Sequence, residues 1–181
     1  TVLGTAGMTV LDQATGYLTL ASGGIAGKRH AFTQILSTNG DFIYDRRALD
    51  NIGTRVLSER ADHAMNNMLV NVTEWGTARR AALEGIRVAG KTGTTQAYRD
   101  AWFVGYSKNI VTGVWTGFDT NITMGYGEGG GVAAVPLWSG FMKFAVKDKG
   151  ESDFRAPPGV INVKINKETG KLAQLDDQQY F

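Results

Sequence analysis

The fold of this chain is decided by residues 88–95, with the sequence VAGKTGTT, and by residues 99–106, with the sequence RDAWFVGY. A third run of β-branched and aromatic residues follows at 110–115, and glycines at positions 90, 93, 105, 113 and 117 punctuate the whole stretch. Such runs favour strands, and the short separations between them favour antiparallel pairing. The stretch therefore predicts three strands of an antiparallel sheet between Arg87 and Asp119.

Glycine is the unusual feature of the composition, because 24 of the 181 residues are glycine whereas only 3 are proline. The chain is 43% hydrophobic and 20% charged, which supplies enough apolar material for a packed core and argues against disorder. The glycines follow no G-X-Y repeat, so a collagen-like chain is excluded. Ten of the 24 lie between residues 90 and 131, which places them in the predicted sheet and in the loop after it.

The charged residues and the absence of cysteine exclude several classes of function. Without cysteine there are no disulfides, no thiolate zinc sites and no cysteine nucleophile. The 19 basic and 17 acidic residues are interspersed, so we expect no nucleic-acid partner and no membrane contact by this segment. No run reaches the roughly 18 apolar residues of a membrane span, and the start does not resemble a signal peptide. We therefore expect a segment of a longer protein.

Three helices are predicted around the sheet. Apolar residues recur at helical spacing in residues 9–21 and again in 133–146, where Pro136 is acceptable in the first turn. Ser58 is a suitable N-cap for a further helix. The apolar positions of that helix are Ala61, Ala64, Met65, Met68, Leu69 and Val72.

A hairpin and a C-terminal appendage complete the predicted organisation. Two short β-rich runs between Phe32 and Tyr44 flank Asn39-Gly40, a dipeptide typical of hairpin turns with positive φ angles. We predict an α/β protein, in the α+β sense, whose antiparallel sheet is packed by helices over residues 1–155. Residues 156–181 are predicted to form an appendage with short strands.

Residues 85–92, GIRVAGKT, match the phosphate-binding pattern G-x-x-x-x-G-K-[ST] residue for residue. In a nucleotide site this loop follows a buried strand and opens a helix whose amides face the phosphates. Here residues 75–82 are polar and include Arg79 and Arg80, and residues 92–95 are poor helix formers. A P-loop nucleotide-binding protein is an alternative, but this context favours a strand through Lys91.

On a strand, Lys91, Thr92 and Thr94 are expected to line one groove, and Gly93 permits the close approach of a ligand backbone. An ammonium and two hydroxyls suit a carboxylate. A backbone N–H at the end of the strand suits a developing oxyanion, whose stabilisation is usually the largest contribution in acyl transfer. The residues therefore predict an anion-binding groove suited to acyl transfer.

The two segments that decide the fold resemble the transpeptidase domain of class A (bifunctional) penicillin-binding proteins. Residues 3–24 are similar to the family's helix that follows its S-x-N element, and residues 56–77 are similar to its next helix. Residues 112–117, 129–138 and 159–173 continue in the family's order. The resemblance implies the penicillin-binding transpeptidase or serine β-lactamase-like fold, incomplete without its N-terminal half.

The resemblance also implies roles for the K-T-G residues. Lys91 is expected to be catalytic, adding positive potential and a hydrogen bond to the proton network of a nucleophilic serine and its lysine. Thr92 and Thr94, with Gly93 between them, are expected to hold the carboxylate of a D-Ala-D-Ala stem peptide or of a β-lactam. The backbone amide of Thr94 is expected to complete an oxyanion hole. No metal and no other cofactor is implied.

The family's signature has three elements, S-x-x-K, S-D-N and K-T-G, and only the third is present. None of the serines has a lysine three residues on, and Ser139 misses by one because Lys143 is the fourth residue after it. Residues 37–39 spell S-x-N, but they lie at the predicted hairpin turn and after the helix that should follow that element. Because acyl transfer needs an activated hydroxyl, the chain alone is expected to be inactive.

The expected function is therefore that of one part of a peptidoglycan D,D-transpeptidase that binds penicillin. Its expected partners are the stem peptide, β-lactams and the N-terminal half of the same domain. By the same resemblance it is expected at the extracytoplasmic, periplasmic face of the bacterial inner membrane, with its anchor upstream. A non-catalytic interaction module left by a degenerate transpeptidase is a further alternative.

Other polar and aromatic residues are assigned structural roles. His30 and His63 lack the spacing of metal ligands and are expected to be surface or packing residues. Tyr98 and Tyr126 lie in polar loops and are candidates for the rim of the groove. Asp100 is expected to pair with the neighbouring arginine at position 99 or to cap a turn.

Overall fold

A computed structural model of the protein describes residues 6–48, 53–147, 149, 153–166 and 168–173. The helices are α1 (Val10–Ala21), α2 (Glu59–Glu74) and α3 (Val135–Ala145). The strands are β1 (Ile25–Ala26), β2 (Gln34–Leu36), β3 (Phe42–Asp45), β4 (Thr54–Arg55), β5 (Ala89–Thr94), β6 (Asp100–Tyr106) and β7 (Val111–Gly117). The three predicted helices are confirmed. Residues 3–5 of the resemblance and the end of the predicted appendage, after residue 173, lie outside the described residues.

The central sheet has the strand order β5-β6-β7 with both pairs antiparallel, which confirms the sheet predicted between residues 87 and 119. Thr92 is paired with Phe103 across β5 and β6, and Trp102 is paired with Trp115 across β6 and β7. Gly105 allows a close approach on this sheet, because a Cβ there would lie 2.9 Å from the indole ring of Trp138. The glycines of this stretch therefore serve the packing of the sheet.

Helix α3 packs on one face of the sheet. Phe103 and Trp138 are fully buried, and their rings meet edge to face with centroids 5.1 Å apart. The indole Nε1 of Trp138 donates to the carbonyl oxygens of Gly105 and Thr112 at 3.2 and 3.0 Å, so its one polar group is satisfied inside the core. This face carries the larger hydrophobic cluster and fixes the strand that bears the K-T-G residues.

Helices α1 and α2 pack around Tyr106, which is fully buried at the end of β6. The ring of Tyr106 contacts the rings of Tyr17 and Phe154 with centroid separations of 6.0 and 5.6 Å. Its hydroxyl donates to Oδ1 of Asn66 at 2.7 Å, and the Asn66 amide donates to the carbonyl oxygen of Leu20 at 3.2 Å. One asparagine on α2 therefore joins β6 to the end of α1.

Helix α2 presents an unexpected face to the interior. Of the six apolar residues in its predicted pattern only Leu69 is buried, and Met65 and Met68 are 41% and 57% exposed. The inward residues are largely polar: Asp62, His63, Asn66, Leu69, Val70 and Thr73. The helix was predicted correctly, but its buried side is set by hydrogen bonds to neighbouring elements rather than by its apolar pattern.

Strands β2 and β3 form the predicted hairpin, with Ile35 paired with Tyr44. The turn differs in detail from the prediction, since only Gly40 has a positive φ angle, 88°, and Asn39 does not. The hydroxyl of Ser37 accepts the amides of Asn39 and Asp41, which makes residues 37–41 a five-residue turn. The S-x-N triplet at 37–39 is therefore part of the hairpin turn.

Candidate active site

Strand β5 is an edge strand of the central sheet, with β6 on one side. The amide of Thr95 donates to the carbonyl oxygen of Asp100 at 3.0 Å, so this amide points toward β6. Because backbone groups of an antiparallel strand alternate in direction, the amides of Thr92 and Thr94 point the other way, to the outer edge. Near the start of β5 this edge is covered by α2, where the hydroxyl of Thr73 donates to the carbonyl oxygen of Val88 at 2.7 Å.

Lys91 lies on the opposite face of β5 from Thr92 and Thr94, because side chains alternate along a strand. Its side chain is exposed, and its Nζ reaches across the edge to donate to the carbonyl oxygen of Thr92 at 3.0 Å. The three side chains therefore lie on both faces of the strand. The Lys91 ammonium reaches the outer edge of the strand, where the backbone amides of Thr92 and Thr94 also point.

Both threonine hydroxyls are held by residues outside β5. The hydroxyl of Thr92 forms a 2.8 Å hydrogen bond with the hydroxyl of Thr77, which lies just after α2. The hydroxyl of Thr94 accepts the backbone amide of Gly130 at 3.0 Å. A Cβ at Gly130 would overlap the carbonyl oxygen of Trp102 and lie 2.8 Å from that of Gly93. The glycine-rich segment, residues 125–131, therefore lies directly against the K-T-G strand at Gly130.

Asp100 holds the end of β5, in part through a contact that the sequence did not reveal. Its Oδ1 accepts the indole N–H of Trp115 at 2.9 Å, and its Oδ2 accepts the hydroxyl of Thr95 at 2.9 Å. The Thr95 hydroxyl in turn accepts the amide of Asp100 at 2.8 Å. Asp100 therefore does not pair with the adjacent Arg99; its bonds with Thr95 close the turn between β5 and β6, which is the other role expected of it. The tryptophan and the aspartate on neighbouring strands could have indicated the bond between them, but only with knowledge of how β6 and β7 are paired.

Two tyrosines lie at the end of β5. Ala97 and Tyr98 have positive φ angles of 58° and 52°, which is uncommon for residues other than glycine. This turn brings the ring of Tyr98 to an edge-to-face contact with Tyr126, at a centroid distance of 5.6 Å. Tyr126 is 96% exposed and follows Gly125, so its ring projects beside the strand end. The two rings therefore lie together beside the end of β5 and stay candidates for the rim of the groove.

The match to a phosphate-binding loop is not supported. Lys91 and Thr92 lie in the middle of β5, and Gly85 belongs to a turn closed by a bridge between Leu83 and Ile86. The amides that hold a phosphate come from a helix that begins at the lysine, whereas here the chain continues as a strand. The geometry contradicts nucleotide binding at residues 85–92.

The two histidines behave as structural residues. His63 is 9% exposed and its Nε2 accepts the side-chain amide of Asn67 at 3.0 Å, whereas His30 is exposed. Among the described residues, no three His, Asp or Glu side chains are grouped so that they could hold a metal ion. Within the same residues, the helices are too short or too polar to cross a membrane.

An antiparallel sheet packed by helices, with a Lys-Thr-Gly sequence on an outer strand edge, defines the penicillin-binding and serine β-lactamase class of folds. The family model described as "Penicillin binding protein transpeptidase domain" matches residues 3–135. The chain therefore belongs to the penicillin-binding protein transpeptidase domain family.

Curated relatives extend the similarity along the chain. Penicillin-binding protein 1A of Pseudomonas aeruginosa is 44% identical over 120 residues, covering 66% of this chain and 15% of the relative. Penicillin-binding protein 1A of Aquifex aeolicus is 37% identical over 173 residues, covering 94% of this chain and 23% of the relative. The chain thus spans less than a quarter of the length of these two relatives.

Solved structures agree with the fold. The crystal structure of penicillin-binding protein 1A from Haemophilus influenzae matches with a TM-score of 0.86 at 26% identity, covering 99% of this chain and 32% of that one. PonA1 of Mycobacterium tuberculosis in complex with penicillin V matches with a TM-score of 0.77 at 28% identity, covering 88% of this chain and 44% of that one.

Proposed function

We propose that this chain supplies the K-T-G side of the active site in a serine-type peptidoglycan D,D-transpeptidase that also binds β-lactams. The observation that carries the proposal is the outer edge of β5, where the Lys91 ammonium and the outward amides of Thr92 and Thr94 meet. An extended peptide can bind such an edge by adding a strand to it. Family membership and the relatives' names support the same reaction class.

Each residue has a defined role in the proposed reaction. The Thr92 and Thr94 hydroxyls bind the terminal carboxylate of a D-Ala-D-Ala stem peptide, and the lack of a side chain at Gly93 leaves room for its backbone. A serine oxygen attacks the carbonyl carbon of the penultimate D-Ala, and the outward amide of Thr94 stabilises the oxyanion that forms. The amide bond then breaks, the terminal D-Ala leaves with a proton, and an ester remains on the serine. An amine of a second stem peptide then attacks the ester carbonyl carbon, an amide bond forms as the ester bond breaks, and the serine oxygen regains a proton.

Lys91 contributes charge to this reaction. Its ammonium lies at the same edge as the amides and lowers the energy of negative charge that develops there. In the same role it donates a hydrogen bond to the proton network of the attacking serine. Neutralising it should slow acylation without unfolding the protein, because its side chain is exposed.

The nucleophile comes from another segment in this proposal, because none of the serines in the sequence has a lysine three residues on. That segment carries S-x-x-K and S-x-N and packs against the chain as the N-terminal half of the same domain. The chain alone is consequently inactive. The active assembly works at the extracytoplasmic, periplasmic face of the inner membrane, with the anchor in the upstream part.

Covalent labelling with a fluorescent penicillin tests the proposal. The chain alone should remain unlabelled, whereas a longer protein that joins it to the S-x-x-K segment should be labelled. In the longer protein, Lys91→Met should slow labelling by about 10²- to 10³-fold. The matched variant Lys143→Met, at an exposed position of α3, should label at the normal rate. Labelling of the chain alone, or equal rates for the two variants, would contradict the proposal.

We also propose that residues 1–155 act as the transpeptidase portion and that residues 156–181 form a separate appendage. Phe154 is buried against Tyr106, whereas most of the described residues after it are exposed, and Ile165 and Leu172 form an isolated antiparallel bridge. Removal of residues 156–181 from the longer protein should leave penicillin labelling intact. Loss of labelling would place part of the appendage in the working domain.

A further inference from the structure

Thr77 joins the end of α2 to the outer edge of β5. Its hydroxyl oxygen lies 2.8 Å from that of Thr92, and this hydrogen bond is open to solvent. A second link between the same two elements lies four residues earlier on each, where the hydroxyl of Thr73 donates to the carbonyl oxygen of Val88 at 2.7 Å. The end of α2 therefore runs beside β5, and Thr77 stands where the covered part of the strand edge stops.

The backbone of Thr77 is fixed by contacts on both sides, although its side chain is exposed. Before it, a Cβ at Gly76 would lie 2.8 Å from the Cα atom of Val72, so the chain passes closely over the last turn of α2. After it, Ala78 is buried and its amide donates to the carbonyl oxygen of Val72 at 3.1 Å. A Cβ at Gly131 would lie 2.8 Å from the carbonyl oxygen of Thr77, so the glycine-rich segment also packs on it. One hydroxyl is thus presented to the strand from a fixed position.

The direction of the bond between the two hydroxyls follows from the number of their protons. A threonine hydroxyl donates one hydrogen bond and can accept two. Under the proposed function Thr92 donates its one proton to the substrate carboxylate, so Thr77 must donate to Thr92 in the complex. Consecutive hydrogen bonds polarise one another, and a bond to a charged acceptor is stronger than a neutral one. The hydroxyl of Thr77 therefore orients the Thr92 hydroxyl and strengthens its bond with the carboxylate.

The other threonine of the site is supported in a different way. The hydroxyl of Thr94 accepts the backbone amide of Gly130 at 3.0 Å, and a side-chain substitution that leaves the backbone in place keeps this donor. The support of Thr92 comes from a side chain, so a substitution at Thr77 can remove it without any change in β5. Thr77 is therefore a position outside the K-T-G residues that can control how a carboxylate is bound.

We propose that Thr77 is a positioning residue for carboxylate recognition at the K-T-G strand. It acts through Thr92, whose hydroxyl it holds at the edge of β5, and it does not contact the substrate. The inference rests on the proposed function, since it requires that the Thr92 hydroxyl binds the substrate carboxylate. That carboxylate keeps its charge throughout the reaction, so loss of Thr77 should weaken the bound substrate and the transition state by similar amounts.

The kinetics with which a fluorescent penicillin labels the full-length protein test this role. Thr77→Val removes the hydroxyl and keeps the shape of the side chain. The half-saturating penicillin concentration should rise about three- to tenfold, as expected for one hydrogen bond, and the limiting rate should change by less than about twofold. Thr77→Ser retains the hydroxyl and should behave like the wild type. The control Thr38→Val, in the exposed turn between β2 and β3, should change neither quantity.

Two comparisons separate positioning from a general loss of structure. The methyl ester of the same penicillin has no carboxylate, so it should label the wild type and Thr77→Val equally slowly. In a protein that already carries Thr92→Val, the substitution Thr77→Val should have no further effect, because the two hydroxyls act as one unit.

The outcomes distinguish this inference from the proposed function. A wild-type protein that is not labelled by the penicillin would contradict the proposed function, and the inference would fall with it. If the wild type is labelled, the inference alone is overturned by any of four results: Thr77→Val behaves like the wild type, Thr77→Ser behaves like Thr77→Val, the difference between wild type and Thr77→Val persists with the ester, or the effects of the two valine substitutions add.

Discussion

Gly130→Ala tests whether the glycine-rich segment fixes the K-T-G strand. A methyl group there would overlap the carbonyl oxygen of Trp102 and lie 2.8 Å from that of Gly93, and neither backbone atom can rotate away. The segment must then move off the strand, which breaks the 3.0 Å hydrogen bond from Gly130 to the Thr94 hydroxyl. Overpacking and the lost hydrogen bond together should lower the free energy of unfolding by about 2–4 kcal/mol.

The assays are thermal unfolding of the full-length protein and its rate of labelling by fluorescent penicillin. The melting temperature should fall by about 5–15 °C, and labelling should slow by about 10- to 100-fold because Thr94 is displaced. The matched control is Gly140→Ala in the middle of α3, where a Cβ meets no atom within 4 Å. That control should gain about 0.5–1 kcal/mol, since alanine favours a helix interior over glycine. Equal behaviour of the two variants would refute the contact between the glycine-rich segment and β5.

Three further predictions concern polar side chains that are buried or half-buried. Asn66→Ala should lower the free energy of unfolding, measured in denaturant titrations, by about 2–4 kcal/mol, because the buried Tyr106 hydroxyl loses its acceptor. The control Asn39→Ala, in the exposed turn, should change it by less than about 0.5 kcal/mol. Asp100→Ala should lower the free energy of unfolding by about 1–3 kcal/mol, because Trp115 and Thr95 lose their hydrogen-bond acceptor. Asp119→Ala, at an exposed position, is the control and should be neutral. Equal losses of stability in the two variants would contradict the role assigned to Asp100. Burial raises the pKa of Asp62, so the folded state holds the proton of this carboxyl more strongly than the unfolded chain does. The stability that comes from keeping Asp62 protonated is lost as the pH rises through its folded pKa. Asp62→Asn should therefore gain stability relative to the wild type between about pH 4 and pH 7, and a constant difference would show that Asp62 titrates normally.

The sheet could be predicted because the residues that specify each strand are adjacent in the sequence. Runs of β-branched and aromatic residues broken by glycines indicate strands between residues 87 and 119, and the structure has strands of six or seven residues at 89–94, 100–106 and 111–117. The start of α2 is also determined by residues close together in sequence, since the Ser58 hydroxyl accepts the amide of Ala61 at 3.2 Å, as an N-cap should. Most features determined within a few residues were therefore predicted correctly; the exception is the hairpin turn, where Asn39 does not have the expected positive φ angle.

The buried side of α2 could not be predicted from its own residues. Burying Asn66 is unfavourable unless partners meet it, and two of its partners lie on other elements: Leu20 on α1, and Tyr106, 40 residues along the chain. The same applies at the K-T-G strand, where Gly130 meets Thr94 across 36 residues. Residue spacing identified which side chains belong to the edge of β5, but it could not show that Lys91 reaches that edge from the opposite face.

Under the proposed function, the outward amides of β5 have a consequence for the evolution of β-lactam resistance in the longer protein. Every amino acid except proline carries the same backbone N–H, so almost any point mutation at position 94 leaves the amide itself in place. Besides the side chains of the K-T-G residues, the positions that can change the reactivity of this edge are those that hold β5 in place: Gly130, Thr77 and Asp100. Surveys of resistant variants should be directed to those supporting positions as much as to the K-T-G triplet.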